Sequence, residues 1–305
     1  MLAAAVVSIG VLSLFQPREL ILETPSIEVA GERVTLREPV TVRADGRSLV
    51  VRIGTRELRA GLLTGSGPGV RIELPGRMDR RYMGSFKIAV TEGVLYPVIY
   101  MNLEEAVGRV VAAEMPSAPL EAQKAQAIAA RSYYEAPART HTFFDFCDTT
   151  HCQAQFAGSR PQPVSATDGQ ILRHNGRTLR ALYFRSCGGR TRTAAQIGFR
   201  DEEYRYAAVH CTVCQRDPHT WTRTLPPGTA APRSEAERLA LGRRFGWDRF
   251  PSNDYEVHGT ELRGQGEGHG VGLCQRGATG LARQGWDALS ILRHYYPGTD
   301  VGGLP

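Results

Sequence analysis

Apolar and polar positions alternate in short runs through the first third of the chain. Ser26–Val29, Arg33–Leu36, Val40–Arg43 and Leu49–Ile53 repeat with a period of two, and Val70–Leu74 and Phe86–Val90 continue the pattern. Such runs, split by Gly and Pro, predict strands. Ala44-Asp45-Gly46-Arg47 carries the Asp-Gly signal of a hairpin turn. The period then changes. Ala106, Val107, Val110 and Val111 recur at helical spacing and predict a helix from about Leu103 to Ala113. Pro116 and Pro119 interrupt the backbone, and an alanine-rich helix follows from Pro119 to Tyr134. Pro119 suits its first turn, and Glu121 suits the positive end of its dipole.

Farther on, Gln170–Phe184 reads as strand, and Ser186–Trp221 as a Gly-, Arg- and Thr-rich region containing Cys211-x-x-Cys214. Pro226–Pro232 reads as a loop, and Ser234–Gly246 as a charged helix capped by Ser234. A glycine-rich loop spans Gly264–Gly272, and helices lie around Ala278–Gln284 and Asp287–His294. There is no internal repeat. The patterns predict an α+β protein of mixed helices and strands with a β-rich N-terminal region.

Met1–Phe15 is apolar and uncharged. It matches a signal-peptide core in length and is shorter than the roughly 20 residues that span a bilayer. It lacks a basic start and a clear cleavage site. An export or anchor segment at residues 1–20, the only membrane contact expected, is the favoured reading; a buried core element is the alternative. A β-rich region at 21–79 is expected to follow. The rest of the composition is that of a globular protein of 305 residues, 42% hydrophobic and 22% charged. The net charge of +6 favours anionic partners such as a wall polymer, a membrane surface or nucleic acid without choosing among them. No motif with groove-reading geometry is present, so nucleic acid is not an expected partner.

Glu114 stands at the break between the two helical patterns. A carboxylate held at a helix end by a proline-stiffened turn is fixed in place, as a proton-transferring acid must be. Glu121, by contrast, reads as a helix-end charge, and Glu104 and Glu105 as solvated or capping residues.

His141, Cys147, His151 and Cys152 fall within a dozen residues. Two imidazoles and two thiolates form a tetrahedral zinc set, and four protein ligands leave no open position, so the role would be structural. A Cys147–Cys152 disulfide is the competing reading, since oxidising compartments favour it; the two adjacent histidines favour zinc. Cys187, Cys211 and Cys214, with His219 as a candidate fourth ligand, form either a second metal site or a disulfide.

Gly264–Gly272 superficially suggests a nucleotide loop, but it lies near the end of the chain and outside any βαβ unit, which excludes that reading. His269 within it either lines a site or holds the turn. Ser186 lacks a nucleophile elbow. Arg131 is either a ligand contact or a buried tie, and Gln126, Gln153 and Gln275 are candidate ligand contacts. Tyr133 and Tyr134 offer either a stacking face or core packing.

These segments together resemble the stage II sporulation protein D (SpoIID/LytB) family. The resemblance rests on Glu114-Met115-Pro116 followed by Glu121–Tyr133, on Cys147-Asp148-Thr149-Thr150-His151-Cys152-Gln153, on Thr167–Gln170, on Tyr183–Thr191, on Gly268–Ala278 and on His294–Thr299. It covers about Arg80 to Val301. It implies a catalytic domain at 80–305 built around a substrate groove, and an extracytoplasmic peptidoglycan lytic transglycosylase. Such an enzyme cleaves the bond between N-acetylmuramic acid and N-acetylglucosamine, preferably in strands stripped of stem peptides, and leaves 1,6-anhydro ends. Glu114 maps onto the family's catalytic glutamate. The zinc-binding loop maps onto His141–Cys152, with His141 the least secure ligand. Ser186, His269, Gln126, Arg131, Gln153 and Gln275 would line the substrate site. Cys274 stands where many relatives carry Ser, which implies a small residue packed beside the loop. A wall-binding module that stimulates a partner amidase is the alternative function.

Overall fold

The computed structural model describes residues 5–137, 141–155, 158–199 and 204–304. The chain divides into two compact units: Met1–Pro116 with Ala138–Pro161, and Ser117–Pro137 with Gln162–Pro305. The described residues include seven α-helices: α1 (Leu103–Glu114), α2 (Leu120–Glu135), α3 (Pro161–Ser165), α4 (Thr212–Arg216), α5 (Glu235–Phe245), α6 (Gln275–Arg283) and α7 (Ala288–Tyr295). The fold is α+β, and its strand-rich N-terminal part runs on to Asn102.

The first unit is two sheets packed on one another. One has seven strands, in the order Phe146–Cys147, Val6–Gly10, Val94–Asn102, Ser85–Thr91, Leu62–Gly65, Ser26–Val29, Glu32–Thr35. The other has six, in the order Met78–Tyr82, Val70–Leu74, Glu19–Glu23, Val40–Asp45, Ser48–Ile53, Arg56–Ala60. The period-two pattern explains the packing: Leu20 and Leu22, Val40 and Val42, and Val70 and Ile72 are inward and buried, while their neighbours face out. The boundary expected between residues 79 and 80 falls inside the strand Met78–Tyr82, which pairs antiparallel with Val70–Leu74.

The N-terminal apolar stretch differs from the export segment favoured by its composition. Val6–Gly10 is an interior strand, antiparallel to Val98–Asn102 on one side and parallel to Phe146–Cys147 on the other. Val7, Ile9, Val11 and Leu12 are buried. These four residues are core, as in the alternative reading, whereas Val6, Leu14 and Phe15 are exposed. Met1–Ala4 lie outside the described residues. No helix among the described residues is long and apolar enough to cross a membrane.

The second unit is organised around α2. Three elements pack against it: the strand Gln170–His174, α6 and α7. Alanines at 122, 125, 127, 129 and 130 are all fully buried, and their small side chains let those elements approach. Ser132 Oγ donates to Ile128 O at 2.5 Å and accepts from Leu172 N at 2.8 Å, so one hydroxyl joins helix and strand. Gln170–His174 pairs antiparallel with Asp300–Gly303 and with Arg177–Thr178. A second small sheet is Thr220–Thr224, Glu261–Gln265 and Tyr255–His258. Tyr183–Phe184 pairs in parallel with Leu273–Cys274.

The interior position of the first strand has a measurable consequence. Ile9→Ala is expected to cost about 2–5 kcal/mol, the range for truncating a fully buried aliphatic side chain. Val6→Ala, at the exposed start of the same strand, is expected to stay within about 0.5 kcal/mol. Denaturant melts of the two variants check this; equal effects would contradict the strand's placement.

Candidate functional site

Glu114 is the last residue of α1. Asn102 caps the start of that helix, its Oδ1 accepting from Glu104 N at 2.8 Å and Glu105 N at 3.4 Å. Glu105 pairs with Arg109 one turn on, at 2.8 Å. At the other end the chain leaves helical geometry at Met115, yet Met115 N still donates to Val111 O at 3.0 Å. Arg160 then fixes the turn: its Nη2 donates to Pro116 O at 2.8 Å, and its backbone N donates to Gly108 O at 3.0 Å. Half-buried Glu114 is thus held between a closed helical turn and a clamped proline.

His141, Cys147, His151 and Cys152 do come together. One ligand atom from each lies within 4.8 Å of all the others. His141 Nε2 is 3.3 Å from Cys152 Sγ, and His151 Nδ1 is 3.7 Å from Cys152 Sγ and 3.8 Å from Cys147 Sγ. Nitrogen and sulfur on one tetrahedral zinc are about 3.5 Å apart, given bonds of ~2.0 and ~2.3 Å. The donor set and its spacing therefore fit that ion. The Cys147 thiol is brought down to about 3, first by its hydrogen bond with Cys152 and then by His151 and Thr149, against the opposing effect of burial. Neighbouring structure holds the loop. Ser8 Oγ donates to Asp145 Oδ2 at 2.7 Å, and Asp148 N donates to Gly10 O at 3.2 Å. Gly10 is required here: a Cβ on it would lie 2.4 Å from the Phe144 ring, which packs against His141 with ring centroids 4.5 Å apart.

In the second unit the structure gathers a further cluster. Cys187, Cys211, Cys214 and Cys274 are all buried, and their sulfurs lie within 4.8 Å of one another. Cys274, expected as an isolated small residue, is the fourth member; His219, the candidate fourth ligand, is not part of it. Cys211 and Cys214 flank and enter α4, a short helix that the sequence pattern does not reveal. Burial pushes the Cys274 thiol well above its ordinary range, while the hydrogen bond with Cys187 draws Cys211 below it.

Among the remaining candidate residues, Gln126 meets Gln275, and Ser186 and His269 line one pocket. Arg131 is fully buried and donates to Gln170 O at 2.9 Å, the geometry of a tie between helix and strand. Gln126 and Gln275 are buried, and Gln275 Nε2 donates to Gln126 Oε1 at 3.3 Å. Gln153 is buried in the first unit. Ser186 is buried, its Oγ 3.8 Å from Cys214 Sγ. Tyr133 and Tyr134 are buried, and Arg180 donates to the Tyr133 hydroxyl at 2.8 Å. Glu121 accepts from Lys124 Nζ at 2.7 Å and from Ala288 N, at the start of α7, at 2.9 Å. The Lys124 bond first and the Ala288 bond next hold its carboxyl below the usual range. This is a structural charge.

His269 holds its turn. Its Nε2 donates to Tyr183 O at 2.9 Å, and its Nδ1 accepts from Val271 N at 3.1 Å. Both ring nitrogens are committed to backbone in one neutral tautomer. Burial, with Arg238 adding to it and Glu235 opposing, lowers its pKa from 6.5 to about 4. A histidine kept neutral in the fold takes up its proton more readily when unfolded. Stability is therefore present in full above pH 6.5 and falls as the pH drops from 6.5 toward 4. The loss is on the order of 2–3 kcal/mol, from about 1.4 kcal/mol per pH unit. Melts across this range should show the slope in the native chain and a flatter profile in His269→Gln; an unchanged profile would remove His269 as the cause.

A SpoIID (stage II sporulation protein) family model matches residues 91–174, the segment that holds Glu114, α2 and the His141–Cys152 loop. The Cys187–Cys274 cluster lies outside that segment. An uncharacterized protein of Brachyspira hyodysenteriae is 28% identical over 269 residues, covering 72% of this chain and 72% of the relative. Stage II sporulation protein D of Bacillus subtilis is 26% identical over 264 residues, covering 65% of this chain and 74% of the relative. That of Bacillus amyloliquefaciens is 26% identical over 262 residues, with the same coverage. The matched segment and the ordered motifs on either side of it agree, and both support assigning residues 91–174 to the SpoIID (stage II sporulation protein) family.

Proposed function

We propose that this chain is an extracytoplasmic peptidoglycan lytic transglycosylase acting on glycan strands that lack stem peptides. The observation that carries the reading is Glu114: one carboxyl group, at the clamped end of α1, inside the segment that matches the family. Ordinary glycosidases need two carboxylates, one for the leaving group and one for a nucleophile or its activation. An anhydro-forming cleavage needs one. Protonated Glu114 gives its proton to the glycosidic oxygen as the bond to the muramic C1 breaks. Positive charge develops on that sugar. The Glu114 carboxylate then takes the proton from the sugar's own 6-hydroxyl, whose oxygen bonds to C1 and closes the 1,6-anhydro ring. The proton count balances and no water enters.

The place of Glu114 suits a group that cycles between both forms. The C-terminal end of a helix carries the negative end of its dipole, which disfavours carboxylate charge. His141, Cys147, His151 and Cys152 are proposed to hold one zinc ion. With four protein ligands the ion would brace the loop and take no part in proton transfer.

Two outcomes are expected. Incubation with amidase-treated glycan strands should give anhydromuramic ends by mass spectrometry, and Glu114→Gln should lower their formation by about 10²–10⁴-fold, the range for a lost general acid–base, with its melting temperature unchanged. Equal product from Glu114→Gln, or none from the native chain, would favour a wall-binding module that stimulates an amidase. Separately, His151→Ala with Cys152→Ser should lose one zinc by metal analysis and melt at a lower temperature. Unchanged metal content would remove zinc from this loop.

A further inference from the structure

We infer that Cys187, Cys211, Cys214 and Cys274 form a second, all-thiolate metal site holding a single structural zinc ion. Four sulfurs from three separate segments converge: the loop after Tyr183–Phe184, the start of α4, and the junction of Leu273–Cys274 with α6. Buried cysteine often behaves as a small apolar residue, but apolar packing does not require four sulfurs to point at one another. The spacing is that of a common ligand. Four sulfurs at ~2.3 Å from one zinc are about 3.8 Å apart. Here Cys214 Sγ and Cys274 Sγ are 3.6 Å apart, and no pair exceeds 4.8 Å. The space between them takes one ion and is too small for the several irons and sulfides of a cluster.

The surroundings support thiolates. Each sulfur has a donor-capable polar neighbour outside the cluster, and Cys274 Sγ also lies 4.0 Å from Arg185 O. Gly189 N donates to Cys187 Sγ at 3.4 Å, and Gly277 N donates to Cys274 Sγ at 3.3 Å. Tyr295 Oη lies 3.3 Å from Cys211 Sγ, and Ser186 Oγ lies 3.8 Å from Cys214 Sγ. Donors of this kind orient thiolate ligands and offset their charge. Close approach also dictates a residue: a Cβ on Gly277 would come within 2.6 Å of Cys211 Sγ. The ion would lock three segments together. One of them, through the paired backbones of Ser186 and Glu267, supports the loop that carries His269.

The test separates this site from the His141 loop. Full-length protein purified without chelator or oxidant is compared with His141→Ala/His151→Ala and with Cys211→Ser/Cys274→Ser. Native against denaturing mass spectrometry should show one zinc retained in the histidine variant. Zinc X-ray absorption on that variant should give an all-sulfur shell at about 2.3 Å. Cobalt substituted into it should show the strong visible and near-ultraviolet bands of tetrahedral thiolate ligation. The double cysteine variant should lose that zinc and those bands. If it does not fold, the histidine variant decides alone. A zinc-free histidine variant, iron in place of zinc, or peptide mapping that finds disulfides among these four cysteines would overturn the assignment.

Discussion

The strand Val6–Gly10 is the constraint on which the first unit depends. It is hydrogen-bonded on both sides, to Val98–Asn102 and to Phe146–Cys147. The first neighbour runs straight into α1, whose last residue is Glu114. The second neighbour opens the loop that carries Cys147, His151 and Cys152. One strand therefore sets the position of the helix that ends in the carboxyl group and of the loop that gathers the imidazoles and thiols. Its side chains are apolar because both flanks are occupied and one face is core. Its Gly10 is small because Phe144 lies where a Cβ would be.

The two cysteine clusters answer the same physical problem in the two units. Loops without regular structure bury little apolar surface, and they lose conformational entropy when fixed. The His141–Cys152 loop has one two-residue strand, and the described residues of the 186–214 region hold only short elements. Convergent ligands would fix such segments on binding the proposed ion, whose binding energy would become folding energy. The choice of donors differs with the setting. The half-exposed loop uses imidazole and thiol, whereas the fully enclosed cluster uses thiol alone.

The sequence disclosed most where one periodicity persists. The helices expected at Leu103–Ala113 and Pro119–Tyr134 occur at Leu103–Glu114 and Leu120–Glu135, because an apolar stripe and a proline stop are local signals. Ser234 and Asp287 cap their helices through their own side chains, also a local effect. The misread elements depend on distant partners. Val6–Gly10 has the composition of an export core, and only its pairing with residues about ninety and one hundred and forty positions away makes it a strand. The grouping of His141, Cys147, His151 and Cys152 was legible because they are close in sequence. Cys274 was not, since 60 residues separate it from Cys214 and no spacing rule connects them.

The acidic residues near Glu114 in sequence have structural roles of their own. Glu105 is engaged by Arg109, and Glu121 by Lys124 and the first backbone N–H of α7. The Lys124 bond first holds the Glu121 carboxyl below its usual range, and a group kept ionised by a neighbouring cation is a poor proton donor. Glu114 sits at the C-terminal end of α1, in a backbone that Met115 N and Arg160 both restrain. A single group that must first give a proton and then take one, from oxygens on the same sugar ring, gains more from a fixed position than from a second carboxylate. The restraint at residues 114–116 serves that need, because misplacement by about 1 Å can cost on the order of 10²-fold in rate.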